Sequence, residues 1–103
     1  GEFTEMLNHN MDQMFAIVDE SIKQMNIVLH KAEVVHDDIN VSYNIENEIN
    51  NYRNQLKIKN MEDINLKQYD YQVGVYYMDM VAECEKLGDY VINVVQAVVE
   101  KKI

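Results

Sequence analysis

Two carboxylates at helical spacing, Glu85 and Asp89, flank Gly88 in the stretch ECEKLGDYVINV, Glu83 to Val94. Residues four apart on a helix share a face, so these side chains present oxygen ligands together. A hard cation takes such an arrangement, with waters or a second helix completing its shell. Ala82 and Gly88 keep the surroundings slim, so that a neighbour can approach closely. The plainer reading is a solvated acidic face, because the chain carries 18 Asp and Glu and pairs at this spacing arise by chance.

A complement lies earlier in the chain. The row Ile45, Ile49, Tyr52, Leu56 extends backwards through Val41, Asp38 and Val34. Asp38 thus falls where an apolar residue is expected, and a buried carboxylate needs a partner. If the chain folds back around residue 62, position 38 lies level with about 86. That would bring Asp37 or Asp38 to Glu85 and Asp89. Glu46 and Asn50 form a further pair four apart on the same segment. Glu85, Asp89, Asp38, Asp37 and Glu46 are therefore the candidate metal ligands.

Other groups carry less. Glu33 and His36 make one Glu-x-x-His step, whereas a di-iron carboxylate bundle uses two such steps and two further Glu. A carboxylate-bridged metalloenzyme is thereby disfavoured. His9, His30 and His36 are scattered. Cys84 falls on an apolar row and reads as a buried, inert thiol. No glycine-rich phosphate loop and no Ser-His-Asp order is present, so the chain reads as non-catalytic, with no catalytic residues to assign.

The elements that must position these groups are helices. Among 103 residues there is no Pro and there are three Gly, while 48% are hydrophobic. Strand-rich domains need more turn residues, and disordered tails carry fewer apolar ones. The first segment runs from about Thr4 to Leu29, with Leu7, Met11, Met14, Val18, Met25 and Leu29 in one stripe and Ile22 one residue off phase. The second ends near Lys57. The third runs from about Leu66 to Lys101, with Val73, Tyr77, Met80, Cys84, Leu87, Val91, Val94 and Val98 at 4-3 spacing. KNMEDINLKQ reads as the loop between the second and third, with Asn65 capping the third in the manner of a capping box. The first break is placed near Lys31 in preference to Asp37. Three such helices pack as an antiparallel bundle, all-α, over residues 1–103. A core of this size makes pairing with a second copy a reasonable expectation.

The net charge of -9 argues against nucleic acid and bare anionic membranes as partners. The single cysteine permits no internal disulfide and reads as a reduced, cytosolic setting. No apolar run is long enough to span a bilayer. Gly1 reads as a residue left by tag cleavage, and the rest as a segment of a longer protein.

The stretch Glu85-Lys86-Leu87-Gly88-Asp89 resembles the signature of the third helix in a PhoU-like repeat. YDYQVGVYYMDM, Tyr69 to Met80, looks like the lead-in to that helix. IENEINNYRNQL, Ile45 to Leu56, is similar to the second helix of the PhoU-like domain attached to bacterial sodium/phosphate cotransporters. The resemblance covers residues 33 to 101. It implies an all-helical, three-helix repeat that pairs with a second copy into a six-helix assembly. It also implies a regulatory role in phosphate uptake, on the cytoplasmic side, tethered to the inner membrane through the transporter portion of the parent protein. Family members bind metal through acidic pairs four apart, and Glu85 and Asp89 match. On the second helix Glu46 is followed by Asn50, a weaker ligand than Asp, which puts a multinuclear site in doubt. The implied cofactor is a divalent or ferric ion such as iron, nickel or zinc. The competing expectation is a helical protein-interaction module without metal.

Overall fold

The computed structural model describes residues 3–102, so Gly1 lies outside it. Three helices follow in order: α1 (Glu5–His30), α2 (His36–Asn65) and α3 (Tyr71–Lys102). They lie side by side as a bundle with extents of 52 × 18 × 15 Å, the three-helix arrangement that the apolar spacing predicts.

Local sequence starts and stops each helix. The Thr4 hydroxyl accepts from the Leu7 amide at 3.2 Å, capping α1. The chain leaves α1 at Lys31, whose backbone is extended, so the first turn falls at the earlier of the two expected points. Val35 cannot cap α2 with its side chain. Asp38 does so from within the helix, its carboxylate accepting from the Val35 amide at 2.8 Å.

The second connection departs from expectation. Most of KNMEDINLKQ is helical, since α2 continues to Asn65 and the turn spans 66–70. Asn65 therefore ends α2 and does not cap α3. The helix persists because Asn60 and Asp63 occupy core positions, four and seven residues beyond Leu56, and are both buried. Asn60 donates to the Gly74 carbonyl and accepts from the Tyr69 hydroxyl, and Asp63 pairs with Lys59 at 3.1 Å. Lys67 turns the corner at φ 57°.

Helices α1 and α3 run parallel, with α2 antiparallel to both. Phe3 packs edge-on against Tyr77, ring centroids 5.8 Å apart, at one end. At the other end Lys102 donates to the carbonyls of Leu29 and Lys31. Buried positions step by four and three along each helix, as in a left-handed supercoil. On α1 they are Leu7, Met11, Met14, Val18, Ser21 and Val28. Ser21, not Ile22, fills the gap in this row, its hydroxyl satisfied by the Val18 carbonyl, and Leu29 is exposed. On α3 the buried row is Gly74, Tyr77, Val81, Cys84, Gly88, Val91 and Val95, with Val73, Ile92 and Val99 buried beside it. Met80 and Leu87, expected in the core, lie outside it.

Candidate functional site

Helix α2 packs closely on α3 at two glycines of α3, Gly74 and Gly88. A Cβ built on Gly88 would stand 2.9 Å from Cδ1 of Ile49, so the glycine is the seat for that isoleucine. The pairs on either side follow in the same register. Ile49 meets Gly88, Arg53 meets Glu85 one turn along, and Glu46 meets Asp89 one turn the other way.

Glu46 and Asp89 face each other as a carboxyl pair across the seam. Burial first, then a hydrogen bond with Asp89, then the Asp89 charge push the Glu46 carboxyl up to about 7. Burial disfavours the charged form of Glu46, and a second carboxylate beside it does the same. Glu85 has a different fate. Its Oε2 lies 2.9 Å from Nη1 of Arg53, both side chains being partly buried. Glu85 and Asp89 share a helix face, yet one is neutralised by a cation of the protein and the other turned to Glu46.

Asp38 and Asp37 are not brought to this place. Val34, just ahead of α2, packs with Val95 and Val99, so the start of α2 lies roughly 9–15 Å along α3 beyond Asp89 at the helical rise. The expected fold-back around residue 62 is displaced because α2 runs on to Asn65. Asp38 is buried as expected, and its partner is Lys31, whose Nζ donates to Oδ1 at 2.6 Å. The Lys31 hydrogen bond and the Val35 amide hold the Asp38 carboxyl below the usual carboxylate range. Asp37 is exposed and touched by the Asn40 amide at 3.4 Å. Glu33 and His36 are exposed. Cys84 is buried, and burial pushes its thiol up.

Among the described residues, no group of three or more His, Cys, Asp and Glu side chains is arranged around one point as a ligand set. Glu46 and Asp89 are the two oxygen donors that a hard cation would find here, with water needed for the rest of its shell. The pair does not fit a cluster, since Glu85 is held by Arg53. Sequence reasoning missed Arg53 and the polar group of Asn60, Asp63 and Tyr69. The signal was present for Asn60 and Asp63, which continue the 4-3 row beyond Leu56.

No helix among the described residues is long and apolar enough to cross a membrane. Comparison with protein-family models, with curated proteins and with solved structures returns no match.

Proposed function

We propose that this chain is a non-catalytic regulatory module of PhoU-like type, serving a sodium/phosphate cotransporter, with its ligand-bearing surface on the α2–α3 face. The reading rests on the sequence resemblance. The observation that supports its cation-binding part is the meeting of Glu46 and Asp89, two residues singled out on separate segments, as a carboxyl pair that favours a positive charge between them. A hard divalent or ferric ion would displace the proton held on Glu46 and bind more tightly as pH rises. Pairing with a second copy into six helices, a cytoplasmic position and a role in controlling phosphate uptake belong to the same proposal.

The test is elemental metal content of the purified chain and a Glu46→Gln/Asp89→Asn variant, after exposure to iron, nickel or zinc and removal of excess. Metal retained by the parent and lost from the variant supports the cation site. Equal content in both removes it. A second reading, a helical interaction module without metal, is favoured by the Arg53–Glu85 ion pair, which already neutralises one expected ligand.

A further inference from the structure

The seam between α1 and α3 is left open. Phe15 and Val18 on α1 and Met80, Cys84 and Leu87 on α3 line a groove of ≈ 270 Å³. Phe15 is 46% exposed, Met80 41% and Leu87 42%, although each stands beside the buried row. Two apolar series at seven-residue intervals pass through the groove: Phe15, Ile22 and Leu29 on α1, and Met80, Leu87 and Val94 on α3. In a closed coiled coil the positions flanking the seam carry charges. Here they carry large apolar side chains along two parallel helices. This is the surface on which a further helix can lay an apolar face.

The rim of the groove is acidic. Asp12 and Asp19 lie three before and four after Phe15, on the same face, and Glu83 lines the groove between Met80 and Leu87. Against these three carboxylates stand two ammonium groups, Lys23 on Asp19 and Lys86 on Glu83. Asp12 makes no salt bridge among the described residues. A two-fold contact between copies of this chain through the groove would set that rim against itself, in a molecule whose net charge is -9. A partner with basic flanks meets no such opposition.

We propose that the α1–α3 groove is a docking site for an amphipathic helix of another polypeptide, with apolar residues at heptad spacing and Lys or Arg on its flanks. The site lies on a different seam from the Glu46–Asp89 pair and stands whether or not that pair holds a cation.

The test is titration of the chain with a labelled three-heptad synthetic helix, Leu at the seam positions and Lys at the flanks, beside a counterpart with Glu flanks. The Lys helix is expected to bind about tenfold or more tighter, with affinity falling as salt is raised. Phe15→Ser/Leu87→Ser is expected to weaken it by about tenfold or more, an easily resolved change. Helical circular dichroism checks that this variant folds, and Met80→Ser, read in the same titration, serves if it does not. Equal affinity for the two helices, or binding unchanged in a folded variant, overturns the proposal. So does a dimer of the chain that the same substitutions dissociate, which would assign the groove to a second copy.

Discussion

The Glu46 carboxyl on α2 stands beside Asp89 on α3, and burial first and then that neighbour push it up, so that it keeps its proton where free carboxyls are already ionised. Its value of about 7 lies above that of the unfolded chain, near 4.5. Between those values the native state binds the extra proton, so stability declines as pH rises through the interval. The loss is on the order of 1–2 kcal/mol once solvent screening of this partly exposed pair is allowed for. Urea unfolding at pH 5 and pH 8 measures it, and Glu46→Gln is expected to flatten the difference. An equal slope in parent and variant would place the titration elsewhere.

Asp38 sets the opposite limit. Its depressed carboxyl contributes stability that is present above the unfolded value of 3.8 and is lost as pH falls below it. Asp38→Ala removes both the Lys31 partner and the α2 cap, at about 1–2 kcal/mol. Thermal unfolding at neutral pH reads this as a lower Tm. Combined with the Glu46 effect, the parent is expected to be most stable near pH 5, and loss of stability throughout the descent from pH 7 to 5 would contradict the pair.

The two helical glycines differ in what surrounds them. At Gly88 an added methyl meets Cδ1, the far end of Ile49, at 2.9 Å and its Cγ2 at an ordinary 3.8 Å, and a rotamer change can clear the first. The gain of about 1 kcal/mol in helix propensity then offsets the displacement, so Gly88→Ala is expected to be near neutral. At Gly74 the methyl meets Ile64 at 2.5 and 3.1 Å and Asn60 Oδ1 at 3.0 Å. Asn60 also donates to the Gly74 carbonyl. Gly74→Ala is expected to cost about 1–3 kcal/mol, and chemical denaturation of the two variants side by side would show the contrast.

Lys67 occupies the left-handed region, φ 57°, in the turn between α2 and α3. A side chain there costs roughly 1 kcal/mol relative to glycine. Lys67→Gly is expected to raise Tm by a few degrees, which a thermal melt by circular dichroism detects.

Much of the fold is legible in the residue pattern because each helix repeats its apolar positions without interruption by Pro or central loop residues. The errors along the apolar rows share one cause, which is that hydrophobicity alone does not distinguish a seam from its flank. On α3 the row through Met80 and Leu87 is as apolar as the row through Val81 and Gly88, and the glycine that occupies the core is invisible to a count of side chains. On α1 Ser21 is buried and Ile22 only partly so, for the same reason. Asn60 and Asp63 read as loop residues because their burial depends on Tyr69, Gly74 and Lys59, which the local pattern does not show. Within the site, Glu46 and Asp89 could be named from spacing, but their meeting depends on where α2 ends. A few residues of extra helix bring Glu46 to Asp89 and carry Asp38 away.

The parallel course of α1 and α3 has a mechanical consequence. Phe3 lies at one end of the 52 Å bundle and Lys102 at the other. A pull applied at these two points draws α1 and α3 past one another along their lengths. The interhelical contacts then bear the load together in shear, where a hairpin held at one end would peel open turn by turn. The bundle is in this sense a strut, able to pass displacement from one end to the other.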